Sequence, residues 1–230
     1  MSPLLDTTQR MSDLGPRYAE TAPAHFPVDA WATWTNLIFL VVIVYWARRL
    51  RGQAHRHRML AFAIPLLTIG WIGGTIYHAT RSHVCWTLLD WCPIVILVLA
   101  AAWWLWRRLL PGAALAFCVT LLPLLVAGEL ARFLANSGPA GISVSYAILA
   151  AGVVVPAVVC CVRRPDVWRR LAAVVGCFAV ALTFRACDAR LAAAGWPHGS
   201  HYLWHIFGGL ATFFMFGFLY ALRAGDREQV

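Results

Sequence analysis

Long apolar stretches, each separated from the next by a short polar connection, fill this chain from residue 32 to residue 222. A helix needs about 20 consecutive, mostly apolar residues to cross a membrane. The sequence has seven stretches of about that length, at 32–50, 59–80, 87–107, 111–134, 142–162, 168–190 and 201–222. They predict an all-α polytopic membrane protein, built as a bundle of seven transmembrane helices.

The composition supports the same class. Of the 230 residues, 61% are hydrophobic and 13% are charged, so a soluble domain of this size would expose too much apolar surface. The connections are too short to hold a separate soluble domain. We therefore expect a single seven-helix domain over residues 1–230, in which residues 1–30 form a polar N-terminal segment.

The net charge of +9 follows a topological pattern, and all 19 basic residues are arginine. If the predicted helices alternate in direction, six arginines face one side: Arg10, Arg17, Arg81, Arg132, Arg185 and Arg190. The others face the opposite side, and loops rich in positive charge face the cytoplasm. The pattern predicts an outside N-terminus and a cytoplasmic C-terminus. The basic charge is then a signal for orientation in the lipid bilayer, and it does not indicate a nucleic-acid partner.

Four ionisable side chains interrupt the apolar stretches near one end of the predicted bundle. His78 closes the second stretch, Asp90 opens the third, and His201 and His205 open the seventh. Ionisable residues inside membrane spans are costly and commonly mark functional sites. Because consecutive spans run in opposite directions, all four residues are expected at one depth, near the outer surface.

These residue types suit a catalytic zinc site, in which three imidazoles leave a fourth position for water. His201 and His205 share a helix face because they are four residues apart, and His78 would come from a facing helix. Asp90 would then either orient a histidine or the water, or accept the proton of the water as a general base. The simpler interpretation is that each histidine only hydrogen-bonds a neighbouring helix. It explains one histidine better than three histidines and an aspartate at matched depth.

Two further patterns concern the supports of the bundle. Gly70 and Gly74 are spaced for close packing of two helices. Arg185 and Asp188 lie three residues apart on the predicted sixth helix, where an ion pair within that helix explains both. Asp188 is also placed to brace the site from behind.

Several short motifs occur in order along the chain. They are Trp31-Ala-Thr-Trp-Thr-Asn36-Leu, Gly74-Thr-Ile-Tyr-His78-Ala-Thr80, Leu88-Leu89-Asp90, Asp188, and His201-Tyr-Leu-Trp204-His205. Together they resemble the alkaline ceramidase family, part of a seven-helix superfamily that also holds adiponectin-receptor-like and haemolysin-III-like proteins. The resemblance spans almost the whole chain.

The resemblance implies an intramembrane zinc-dependent amide hydrolase. Its substrate would be ceramide or a related N-acyl lipid, which is split into a long-chain, sphingosine-like amine and a free fatty acid. Zinc would be held by His78, His201 and His205, and the water by Asp90. Trp204 matches the aromatic residue beside the last ligand and is assigned to the catalytic residues with Asp90. The family's calcium site is partly matched, by Glu20 and Asp29. The alternative is a non-enzymatic membrane protein of the haemolysin-III or receptor type, which keeps the metal for structure.

One departure from the family pattern concerns catalysis. Family members usually carry a serine four residues before the first histidine, where this chain has Gly74, so Thr75 is the candidate to supply the missing hydroxyl. The exclusive use of arginine is typical of a GC-rich, bacterial genome. We therefore expect a protein of the bacterial inner membrane, with its site facing the periplasm.

Overall fold

The computed structural model describes residues 13–133 and 139–225 of the protein. Within these ranges the regular structure is helical and no β-strand occurs. The helices are α1 (Ala30–Thr35), α2 (Leu37–Arg49), α3 (Arg58–Thr80), α4 (Val84–Leu109), α5 (Ala113–Phe133), α6 (Pro139–Arg163), α7 (Trp168–Ala193) and α8 (His201–Gly225). The prediction of an all-α protein is confirmed.

Six segments of the described chain are long and apolar enough to cross a membrane. They are Ala30–Arg49, Arg58–Thr80, Val84–Leu109, Ser143–Arg163, Pro165–Ala193 and His201–Arg223. Large apolar side chains on their surfaces are exposed, as Val41 and Val162 illustrate at 62% and 77%. These features confirm a multi-pass helical membrane protein.

The fourth predicted span corresponds to α5, Ala113–Phe133, in which the described side chains include the apolar stretch Ala113–Val126. The count of seven spans and the orientation of the two termini therefore stay predictions.

Helices α3 and α4 approach each other closely, and so do α7 and α8. At the first of these contacts, a Cβ atom added to Gly70 would meet the Pro93 Cβ atom at 3.2 Å. A Cβ atom on Gly74 would overlap the carboxylate of Asp90. The two glycines thus allow the close packing that their spacing predicts.

Buried apolar and buried polar side chains occupy opposite ends of the bundle. The apolar core joins the ends of α2, α4, α6 and α8 to the starts of α3 and α7, with Trp46, Leu60, Leu105, Leu171 and Phe218 among its members. The buried charged and polar side chains of the described regions cluster largely at the other end. They include Asp13, Asp29, Asn36, His78, Arg81, Arg185, Asp188, His201 and His205.

The N-terminal segment, residues 13–29, covers this polar end. Arg81, which ends α3 with a left-handed backbone (φ 47°), forms a buried ion pair with Asp13 and donates a 3.0 Å hydrogen bond to the Pro16 carbonyl. The Val28 amide donates to the Ala79 carbonyl at 3.0 Å. These bonds hold the segment against the end of α3, directly over the histidines.

Candidate metal centre

The structure brings His78 of α3 together with His201 and His205 of α8. One ligand atom from each ring lies within 4.8 Å of the others. The three side chains are buried, at 1%, 1% and 4% exposure. Their convergence follows from the antiparallel course of the helices, because the end of α3 and the start of α8 meet at the same end of the bundle.

Asp29, the residue before α1, fixes the orientation of His78. Its carboxylate accepts hydrogen bonds from His78 Nδ1 at 3.0 Å, Arg81 Nη1 at 3.1 Å and the Thr21 hydroxyl at 2.7 Å. Burial alone would raise the pKa of Asp29, but the bond from His78 and the charge of Arg81 hold the pKa below its usual range. An ionised carboxylate only accepts, so His78 Nδ1 carries a proton and Nε2 keeps a free lone pair. Such carboxylate–histidine pairs orient metal ligands.

Asn36, at the junction of α1 and α2, does the same for His205. Its Nδ2 donates to the Thr75 hydroxyl at 2.8 Å and to the Trp71 carbonyl at 3.2 Å. With its amino group engaged, Asn36 presents Oδ1 to His205 Nδ1 at 3.2 Å. An amide oxygen accepts, so Nδ1 of His205 is the protonated nitrogen and Nε2 is free to bind a metal.

His201 is positioned through its backbone and its ring face. Asp188 of α7 accepts from the amides of Ser200 and His201 at 2.6 and 2.9 Å, which caps the start of α8. Tyr18 stacks on the His201 ring with 3.5 Å between centroids. His201 Nε2 faces His205 Nε2 at 3.3 Å, and its Nδ1 has no hydrogen-bond partner among the described residues.

The donor set fits a zinc ion. A tetrahedral site with zinc–nitrogen bonds of about 2.0–2.1 Å separates its nitrogen ligands by about 3.3 Å. The two Nε2 atoms of His201 and His205 have that separation, 3.3 Å. His78 and His205 each have a hydrogen-bond acceptor at Nδ1, which leaves Nε2 as the ligand atom. Because His201 and His205 lie on the same helix, the contact between their Nε2 atoms ties no two helices together.

Asp90 of α4 lies beside this cluster, half-buried. Its carboxylate has no hydrogen-bond partner among the described residues, and Gly74 leaves the room that Oδ1 occupies. The serine that the family resemblance leads one to expect at this position would collide with Asp90. The carboxylate therefore fills the space of the missing hydroxyl, and it is free to bind a water molecule.

Thr75 and Trp204, the other two residues assigned to catalysis, have different surroundings. The Thr75 hydroxyl donates to the Trp71 carbonyl at 2.7 Å and accepts from Asn36, so its contact with the site passes through Asn36 and His205. Trp204 packs at 5.3 Å from the ring of Tyr146 and at 5.2 Å from the guanidinium carbon of Arg185. Thr75 is thus placed to position a ligand, and Trp204 to line the space beside the site.

The two carboxylates assigned to calcium both have protein partners. Glu20 accepts from the amides of Trp31 and Ala32 at 2.6 and 3.1 Å, at the start of α1. Burial raises the pKa of Glu20 to about 7, against the opposing effect of the bond from Ala32. Asp29 serves His78, as described above. Calcium binding by this pair stays a prediction.

The ion pair predicted between Arg185 and Asp188 is wrong. No carboxylate of a described residue lies within 4.0 Å of Arg185. Asp188 instead accepts from the backbone of Ala19 at 2.9 Å and caps α8, because the first amides of a helix have no acceptor within the helix. Its expected role as a brace behind the site agrees with these bonds.

Sequence reasoning missed several supports of the site. Asn36 and Tyr18 carried no assigned role, and Asp29 was assigned to calcium rather than to His78. Asn36 had a signal, because an amide at the start of an apolar stretch needs hydrogen-bond partners when it is buried. Tyr18 lies in the polar N-terminal segment, where nothing in the sequence indicates that it stacks on a histidine.

No protein-family model matches the chain, and no curated protein sequence gives a significant match. The geometry of the three histidines and their neighbours is therefore the basis for a functional proposal.

Proposed function

We propose that this protein is an intramembrane zinc-dependent amide hydrolase, which cleaves ceramide or a related N-acyl lipid into a long-chain amine and a fatty acid. The observation that carries the proposal is the facing pair of Nε2 atoms in His201 and His205, with His78 held beside them. The position of this cluster within the spanning helices supports a lipid as substrate.

His78, His201 and His205 would hold the ion through neutral imidazoles. When bound, zinc supplies Lewis acidity, which polarises an amide carbonyl and lowers the pKa of a water molecule toward neutrality. Asp29, Asn36 and Asp188 keep the three rings in place. An imidazole ring that is already oriented does not have to reach its position during the reaction. These supports therefore contribute to the rate of hydrolysis as well as to the affinity for zinc.

Asp90 is the proton-transfer residue in this proposal. Its carboxylate takes the proton of the attacking water as the oxygen adds to the amide carbon. It returns the proton to the leaving nitrogen as the C–N bond breaks, so that amine and carboxylic acid are formed with the charge balanced. Groups in this role typically contribute about 10²–10⁴-fold to the rate.

The experiment is Asp90→Asn, assayed in detergent with a labelled N-acyl lipid alongside zinc analysis. The amide has nearly the shape of the carboxylate but almost no basicity, so zinc should stay and hydrolysis should fall by about 10²–10⁴-fold. Asp166→Asn is the matched control, because Asp166 is an exposed carboxylate outside the site. Near-normal turnover by Asp90→Asn with zinc bound would contradict the assignment.

The same assay separates the alternative function. A haemolysin-III-like or receptor-like protein with a structural metal would lose its fold with the metal and would hydrolyse no N-acyl lipid. The proposal further places the protein in the bacterial inner membrane with the site toward the periplasm, as the arginine distribution predicts.

A further inference from the structure

Arg185, in the third turn from the end of α7, is a buried cation without a counterion in contact. Its side chain is 9% exposed, and its Nε has no hydrogen-bond partner among the described residues. In the part of the chain that the structure describes, every ion pair lies elsewhere. Burying an arginine is costly, and one that sits inside a membrane span commonly marks a functional site.

Aromatic rings surround the guanidinium. Its carbon lies 5.2 Å from the Trp204 ring centre, 5.3 Å from that of Tyr146 and 6.0 Å from that of Tyr18. Cation–π contacts of this kind hold a guanidinium in place without neutralising it. The guanidinium also forms a side-chain hydrogen bond with Tyr18, but its Nε has no partner among the described residues and stays available to a ligand.

This cation lies next to the histidine cluster. Tyr18, one of its neighbours, stacks on His201, and Trp204 precedes His205 in the chain. Asp90 interacts with Arg185 electrostatically, but not as a contact pair. Arg185 thus lies among the aromatic rings that adjoin the three histidines.

Arg81 is paired with Asp13 and Asp29, whereas Arg185 has no carboxylate of a described residue within 4.0 Å. In surroundings of low polarity, a cation without such a contact favours an anionic ligand. A guanidinium fork suits a carboxylate or a phosphate, which it binds through two parallel hydrogen bonds.

We propose that Arg185 recognises an anionic group, a carboxylate or a phosphate, on the amine portion of the lipid amide. This inference rests on the proposed hydrolase function and narrows its substrate class from neutral ceramides to acidic N-acyl lipids. The acyl chain would extend among the apolar helices, while the anionic group sits between Arg185 and the histidines.

Binding is measured first, because it does not depend on turnover. Chelator-treated protein in detergent is titrated with N-palmitoylglycine, N-palmitoyl-O-phosphoethanolamine or neutral N-palmitoylethanolamine, and Trp fluorescence and melting temperature are followed. We expect one anionic ligand to bind about 10- to 100-fold more tightly than the neutral one, the range of a charge-assisted hydrogen-bonded pair. Whichever of the two anionic ligands binds more tightly shows whether the site prefers a carboxylate or a phosphate.

Variants at position 185 test whether Arg185 causes the preference for the anionic ligand. Arg185→Leu should abolish it, Arg185→Lys should retain part of it, and Arg190→Leu should leave it unchanged. Arg190 is the matched control, since it is an exposed arginine on the same helix. Equal affinity of the wild-type protein for anionic and neutral ligands overturns the inference, as does an intact preference in folded Arg185→Leu.

Hydrolysis of the same three amides by zinc-loaded protein separates the two proposals. Faster cleavage of an anionic amide supports both. Arg185-dependent binding of the anion without cleavage of any amide supports the recognition of anions by Arg185 and contradicts the hydrolase function. Equal cleavage of all three amides supports the hydrolase and overturns the role of Arg185.

Discussion

Replacing Gly74 with alanine tests whether Asp90 must occupy its observed position. A Cβ atom at this site would overlap Asp90 Oδ1 and would lie 3.3 Å from Asn36 Nδ2. The carboxylate would have to withdraw by roughly 1 Å to regain an ordinary van der Waals separation. The variant therefore displaces the proposed base without removing it.

A misplacement of about 1 Å can cost about 10²-fold in rate, or about 2.7 kcal/mol in the activation free energy. We expect Gly74→Ala to keep its zinc, because the three histidines are unchanged, and to hydrolyse an N-acyl lipid about 100-fold more slowly. Gly74→Ser should lose activity as well, although serine is the residue that the family resemblance leads one to expect there.

The assay compares kcat/KM, zinc content and melting temperature of each variant with those of Gly176→Ala. Gly176 is the control because it is a helical glycine whose added Cβ atom would meet nothing within 4 Å. Wild-type turnover by Gly74→Ala with zinc bound would refute the reasoning, since Asp90 would then tolerate the displacement.

Three further predictions concern the supports and the topology. Asn36→Ala removes the acceptor for His205 and should weaken zinc binding by about 10- to 100-fold in a competitive chelator titration, whereas unchanged affinity would contradict its role. Arg81→Met leaves buried carboxylates unpaired and should destabilise the protein by about 3–5 kcal/mol in denaturant unfolding, so an unchanged midpoint would count against the ion-pair network. In a cysteine-free background, a membrane-impermeant thiol reagent applied from the periplasmic side should label His83→Cys and not His55→Cys, and the reverse would overturn the topology.

The helical class and the approximate helix bounds could be predicted because apolar length is a strong signal in a membrane protein. The predicted stretch 59–80 corresponds to α3, Arg58–Thr80, and the predicted stretch 201–222 to α8, His201–Gly225. Alternation of the helices was enough to place His78, His201 and His205 at one end. These residues converge because of the topology of the helices. The periodicity and length of the apolar stretches are enough to predict that topology.

The hydrogen bonds around the histidines could not be predicted in the same way. They depend on side chains from residues 13–29, and this segment has no apolar periodicity. They also depend on which acceptor each donor bonds when several acceptors are within reach. Asp188 illustrates the point. Spacing alone favoured an ion pair with Arg185, but the exposed amides at the start of α8 and the backbone of Ala19 take its carboxylate oxygens.

The metal content of the purified wild-type protein tests the central claim most directly. Elemental analysis of protein prepared without chelators should give about one zinc per chain, because three neutral imidazoles and a water satisfy the tetrahedral preference of the ion. The double variant His201→Ala/His205→Ala should contain none, since it lacks the pair of facing Nε2 atoms. A folded wild-type protein without a transition metal, or a double variant with full zinc, would contradict the account.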